Sequence, residues 1–324
     1  MSGRLDGTSA RLRAVRSARA TALTLVLAIG ALASVTVAAG AAPTDDVPAD
    51  QPAVGVFHPT FVDSSRPSPA STTQPAAAER TLDTTIAFPT KAKRPLPLVL
   101  LAHGSDGNPD KFDELIDHWA QAGYVVVAPL FPRSSDAGGN LVGDYVEQPA
   151  DLSFVLDRVL GENGNRSSPL HRRIDPKRIG LAGLSLGGFT TYGEVFNSCC
   201  RDDRIDAAIL MSAVLGPFPG GEYDFRSTPT LLVHGDADGL YEQSTMAYPQ
   251  LAPPKWFVTL HGGEHATPFE DDPAPGDELV RTVTTAFWDR YLKGERRAGD
   301  RIVDAVDADP TLATLQRELR APAS

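Results

Sequence analysis

Cysteine is almost absent from this chain: two of 324 residues, Cys199 and Cys200, and they are adjacent. That excludes a disulfide-stapled scaffold and any zinc site built on spaced cysteines. Neighbouring Cα atoms about 3.8 Å apart lie below the usual disulfide range of about 4.4–6.8 Å. The pair is therefore expected as two packed small residues, with a vicinal or intermolecular disulfide as the alternative in an exported protein. Positive charge is also scarce, with 30 Lys and Arg against 41 Asp and Glu and a net charge of −11. No nucleic-acid partner is expected on that ground. No internal repeat is present, so a solenoid is not expected. The seven histidines include no pair at metal-ligand spacing on a helix, and no metal and no cofactor are expected.

Long uncharged runs are missing too, apart from one. Five arginines (Arg4, Arg11, Arg13, Arg16, Arg19) and one acid precede a stretch from Ala20 to Ala42 without charge. This is the shape of a secretory signal peptide, with Ala39-Gly40-Ala41 as an A-x-A cleavage site. The alternative is an uncleaved anchor, since about 20 apolar residues also approach membrane-spanning length. The run holds no cysteine for lipidation and no adjacent arginine pair for twin-arginine export. Cleavage after Ala41 would remove five positive charges and one negative, taking the net charge from −11 to −15. A secreted or extracytoplasmic location follows as an expectation, without stable membrane insertion once the signal is removed.

The rest is long enough for one large α/β domain. The expected division is a signal peptide over 1–41, a proline-rich disordered lead-in over 42–53, a catalytic domain over 54–295 and a peripheral helical tail over 296–324. Val54–Asp63 and Leu82–Phe88 read as strands that pair antiparallel. Strand, loop and helix then alternate, which predicts a largely parallel sheet covered on both faces. Strands are expected at Leu96–Ala102, Tyr124–Ala128, Ile174–Gly183, Ala207–Met211, Thr230–Val233 and, last, Trp256–Leu260. Helices are expected at Phe112–Ala122, Pro149–Leu160, after Ser185, and at Asp277–Leu292. The tail from Arg301 reads as a helix pair broken at Pro310. Only about 17 residues separate Ser212 from Thr228, which leaves little room for a cap over the site.

The stretch that carries chemistry is RIGLAGLSLGGFTTY, Arg178–Tyr192. Gly183, Ser185 and Gly187 match G-x-S-x-G, a nucleophile elbow in which small residues let strand and helix approach and the turn lifts the serine hydroxyl from the sheet. A serine hydroxyl needs a base, an acid to orient the base, and N–H donors for the oxyanion. The chain order serine, acid, histidine is met in the loops after two later strands. GDAD supplies Asp236 and Asp238; Asp238 is preferred, because Asp236 is placed to bind the N–H groups of its own turn. HGGEH supplies His261 and His265; His265, beyond two glycines, is preferred. The other histidines, His58, His103, His118, His171 and His234, read as strand-end or surface residues. The oxyanion donors are expected to be the backbone N–H of Leu186 and that of Ser105, in the loop His103-Gly104-Ser105.

The elbow, the His103-Gly104 loop, the GDAD and GGEH loops, the opening VGVFHPTFVDSSRPSPAS and the helix GDYVEQPADLSFVLDRVL together resemble the α/β-hydrolase superfamily. Within it the resemblance is to the bacterial predicted dienelactone hydrolase group, near platelet-activating-factor acetylhydrolase and the polyester (PET) hydrolase and lipase families. It spans roughly Val54–Leu292. It implies an α/β-hydrolase fold with little or no cap, and the roles of nucleophile for Ser185, acid for Asp238, base for His265 and oxyanion donors for the Ser105 and Leu186 amides. Two departures stand out. Leu184 precedes the serine where many relatives carry histidine, and a serine nucleophile argues against a dienelactone substrate, since true dienelactone hydrolases use cysteine. The implied activity is hydrolysis of a small-molecule, lipid or polymer carboxylic ester through an acyl-enzyme. An acyltransferase using the same residues, or a silent binding module of the same fold, are the alternatives.

Overall fold

The computed structural model describes residues 52–320. The expected signal peptide, nearly all of the lead-in and the last four residues lie outside the described residues. Among the described residues, no helix is long and apolar enough to cross a membrane.

A ten-stranded mixed sheet organises the chain. The expected single strand over 54–63 is two, β1 (Val54–Phe57) and β2 (Thr60–Asp63), separated at His58-Pro59. Proline lacks the N–H that a continuous ladder needs. Both pair antiparallel with β3 (Arg80–Pro89), and β3 pairs antiparallel with β5 (Val125–Pro129). From there the sheet is parallel: β4 (Leu96–Ala102) between β5 and β6 (Ile174–Leu184), then β7 (Ala207–Met211), β8 (Thr230–Gly235) and β9 (Lys255–Leu260). Side chains alternate across the sheet with period two. Leu98, Leu100, Leu181, Ala208 and Leu210 pack on one face with α2 (Gln148–Gly164) and α3 (Leu186–Phe196). Val99, Leu101, Ala182 and Ile209 pack on the other with α1 (Asp113–Gln121) and α5 (Asp277–Tyr291), while α4 (Tyr241–Ala247) joins β8 to β9. Both faces being covered, the central strands read as unbroken apolar runs.

The tail corrects the sequence reading. It is one helix, α6 (Ala298–Asp307), followed by a strand, β10 (Ala313–Glu318), which adds antiparallel to β9. The helix is not peripheral, because Ile302 and Val306 are buried against the α5 face. ATLQRE hides its strand character because an edge strand needs little apolar surface; Ala313 alone is buried there. The cysteines are corrected as well: Cys199 and Cys200 form a vicinal disulfide just past α3.

One buried polar cluster ties the start of the sheet to the helices behind the serine. Arg80 is fully buried and donates to Asp144 (2.8–3.0 Å) and to Asp151 (2.6–2.7 Å), both buried too. Asp151 lies on α2, and Gln148, one turn earlier, receives the hydroxyl of Thr190 on α3. The helix α3 that follows Ser185 is thus braced through α2 against β3.

Candidate active site

Each element ends where the chemistry needs it. β6 stops at Leu184, and Ser185 turns the chain at φ 55°, ψ −113° before α3 begins. A non-glycine residue there is strained, and neighbours too close for side chains hold it. A Cβ on Gly183 would lie 2.2 Å from the Gly187 carbonyl oxygen, and one on Gly187 2.1 Å from that of Ala102. Both elbow glycines are therefore required by packing. Leu184 is buried in the core, so the position where relatives carry histidine is here part of the apolar packing.

Three of the expected residues meet. His265 Nε2 accepts the Ser185 hydroxyl at 2.7 Å, and its Nδ1–H donates to Asp238 Oδ2 at 2.5 Å. Asp238 lies beyond β8 and His265 beyond β9, at the same carboxyl ends of the parallel strands as Ser185. Burial pushes the Asp238 carboxyl up, but hydrogen bonds from His265, the Leu240 N–H and His234 outweigh it and hold it below the ordinary carboxylate range. It stays ionised opposite the imidazole.

The competing pair is accounted for separately. Asp236 Oδ1 accepts the Gly262 N–H and its Oδ2 accepts from His261 Nδ1, both at 2.7 Å. Asp236 thus bridges to the next loop instead of binding its own turn, and with His261 it fixes the loop that carries His265.

The sequence reading missed two histidines. His234, on β8, is fully buried; its Nε2–H donates to Asp238 Oδ2 at 2.7 Å and its Nδ1 meets Ser244 Oγ at 2.7 Å. Burial lowers its pKa against the pull of Asp238, so it serves as a neutral donor. His103 is buried, donates through Nδ1 to the Gly104 carbonyl (2.7 Å) and accepts the Phe131 N–H at Nε2 (3.0 Å). Burial, opposed by the Gly104 bond, pushes its pKa down to about 4. It shapes the loop that Gly104 brings to the serine, where a Cβ on Gly104 would sit 3.4 Å from Ser185 Cβ. A polar strand-end residue in VHG or AHG carries no sequence signal separating these roles from a surface one.

The two amides expected to face an oxyanion are free to do so. Among the described residues, neither the Ser105 nor the Leu186 N–H has a protein acceptor, and a first-turn helix amide has no intrahelical partner. The Ser105 hydroxyl donates to Asn140 Oδ1 at 2.5 Å, which turns the side chain away into its own loop contact. His234, Asp238 and His265 also form the one cluster of metal-ligand type among the described residues. Their ligand atoms are spent on one another, with both rings aimed at a single carboxylate oxygen.

The mouth of the site is open. Ser185 and Leu186 are half-buried, the His265 side chain is 35 % exposed, and no helix covers them between β7 and β8. Phe189, one turn past Ser185, packs on Tyr145 and Phe218 at ring separations of 5.0 and 5.4 Å.

A family model described as PET hydrolase-like matches residues 82–309 of the 324. The chain belongs to the PET hydrolase-like family. The match covers the sheet from β3 to α6 and includes Ser185, Asp238 and His265. Membership sets it in the α/β-hydrolase serine esterase group. Chlorophyllase-1 of Arabidopsis thaliana is 26% identical over 140 residues, 43% of this chain and 40% of that protein. The structure of a ferulic acid esterase from Streptomyces cinnamoneus superposes with a TM-score of 0.62 at 22% identity, covering 76% of this chain and 92% of that one. At that identity the likeness speaks for the fold alone, which is the α/β-hydrolase fold expected from the sequence.

Proposed function

We propose that this family member hydrolyses carboxylic esters with Ser185 as nucleophile, His265 as general base and then acid, and Asp238 as the ionised partner that orients His265. The observation that carries the reading is the continuous hydrogen-bond chain Ser185 Oγ–His265–Asp238 at 2.7 and 2.5 Å. His265 Nε2 takes the hydroxyl proton as Oγ attacks the ester carbonyl. The oxyanion is received by the Leu186 and Ser105 amides, and the alcohol leaves with the proton from His265. Water, activated in the same way, then releases the acid from the acyl-serine. An uncovered mouth supports small esters or esters at a surface, and the Phe189–Tyr145–Phe218 cluster that starts one turn past Ser185 supports an apolar or aromatic group beside the serine. Water access at the half-exposed His265 favours hydrolysis over transfer to an alcohol. Export is part of the same reading and rests on the charge and apolar pattern of residues 1–41.

The test is hydrolysis of p-nitrophenyl esters of increasing acyl length, with Ser185→Ala alongside. Turnover by the native chain only, with its product being free acid in the presence of a competing alcohol, supports the proposal. Equal turnover by Ser185→Ala would refute it. Detection of the processed chain, beginning at Ala42, in the medium of an expressing bacterium tests export.

A further inference from the structure

Among the described residues, basic side chains gather around one cleft of this acidic protein. Between β3 and β4 runs Thr90-Lys91-Ala92-Lys93-Arg94-Pro95, and across a cleft of about 560 Å³ stand His171, Arg172 and Arg173. Lys91, Lys93, Arg94 and Arg172 are exposed. Among the described residues, none of these four nor Arg173 has a carboxylate within salt-bridge distance. Five unpaired cations thus face one cleft in a protein of net charge −11. A second cleft of about 520 Å³ shares Lys93, Arg94 and Pro95 and adds Arg178 and Lys293. Those two are paired with Asp175 and Asp289, and Glu295 borders the second cleft.

The arrangement is held, not loose. Arg173 donates to the carbonyls of Pro89 and Thr90 (3.3 and 3.1 Å) with its guanidinium over the Phe88 ring. Arg178 donates to the Pro95 carbonyl at 3.1 Å. The basic loop is clipped at both ends, so Lys91, Lys93 and Arg94 are presented outward. Arg172 sits in the left-handed region (φ 58°), and the Nδ1 of His171 is buried at the cleft without a hydrogen-bond partner. Like charges gathered this closely repel, and an anion between them removes that cost. Guanidinium and ammonium groups together match phosphoryl oxygens in charge and geometry.

We propose that this cleft binds a ligand bearing two or more phosphoryl groups. It lies where β4 and β6 begin, whereas Ser185 lies where β6 ends. A bound molecule would be gripped at the end of the sheet opposite the site, leaving the mouth free. The phosphoryl groups could be those of a soluble oligophosphate or of lipid headgroups.

The experiment uses the full chain, titrated calorimetrically with tripolyphosphate at 50 and 150 mM salt, beside the reversal variant Lys91→Glu/Lys93→Glu/Arg94→Glu. Vesicles of phosphatidylglycerol or phosphatidylcholine form the second arm, read by co-sedimentation. Expected are binding of tripolyphosphate or of phosphatidylglycerol vesicles by the native chain, weakening with salt, and a loss of about tenfold or more in the variant. Tripolyphosphate alone assigns a soluble ligand, and phosphatidylglycerol vesicles alone assign a headgroup; either supports the cleft. Hydrolysis of a soluble p-nitrophenyl ester by the variant should stay within twofold of native, which also certifies its fold. Binding by neither probe, or equal binding by native and a variant of native activity, would overturn the proposal. Should the variant not fold, Lys91→Gln/Arg94→Gln takes its place under the same criteria.

Discussion

His234 and His265 donate to the same oxygen of Asp238, at 2.7 and 2.5 Å. The carboxylate is therefore pinned by the buried His234 while it orients the half-exposed imidazole of His265 toward Ser185. His234→Phe keeps the ring against Tyr241 and deletes the donor. A hydrogen bond to a charged group contributes about 1.5–3 kcal/mol, so kcat/KM should fall about tenfold or more. Asp238 then loses one of the bonds that lower its pKa, and the acid limb of the pH–rate profile should move to higher pH. His234→Gln, which keeps an N–H donor, should recover part of both. An unmoved acid limb would reduce His234 to a packing residue.

The strain at Ser185 should be measurable as stability given up for reactivity. Its backbone at φ 55°, ψ −113° is one that glycine adopts without a Cβ penalty. Ser185→Gly should be inactive yet more stable by about 1 kcal/mol, read as a rise in Tm. A fall in Tm would mean that the hydroxyl's bond to His265 outweighs the strain.

Glu194 is fully buried on α3, with Oε1 2.9 Å from Ser153 Oγ and Oε2 unpartnered. Burial, opposed by the Ser153 bond and reinforced by nearby Asp202, raises its pKa well above the ordinary value. The neutral acid can donate to Ser153, whose own hydroxyl donates to Asp202 at 2.8 Å. The native state holds this proton more tightly than the unfolded one. Its contribution to stability is complete below the ordinary glutamate pKa and is lost as pH rises toward the folded value, at up to about 1.4 kcal/mol per pH unit. Glu194→Gln keeps the donor and removes the titration. Denaturant unfolding should show the variant matching native at pH 5 and exceeding it at pH 8; parallel curves would refute this account.

Arg80 separates two buried carboxylates, Asp144 and Asp151. Arg80→Met leaves Asp144 unpaired and Asp151 held by Arg66 alone, and should cost about 3–5 kcal/mol in unfolding free energy. Adding Asp144→Leu and Asp151→Leu should restore much of that loss. If the triple variant is no better than the single one, the cluster contributes more than charge compensation.

The parallel strands were legible because each is buried on both faces and so appears as an apolar run; Leu96–Ala102 and Ala207–Met211 match residue for residue. Ser185, Asp238 and His265 were legible because each follows such a strand in a glycine-bearing loop. What escaped was partner choice across loops. Asp236 faces His261, and His234 faces Asp238 from inside the barrier of β8, contacts set by tertiary approach and not by spacing. β10 escaped because a polar edge strand resembles any exposed segment.

The proposed reaction stands or falls with Ser185 as the nucleophile, activated by His265. The direct measurement is labelling by a fluorophosphonate probe at pH 8, with the modified residue located by mass spectrometry. One adduct is expected, on Ser185, formed at least about a hundredfold more slowly in His265→Ala. A folded native chain that takes no label, or takes it on another residue, would contradict it.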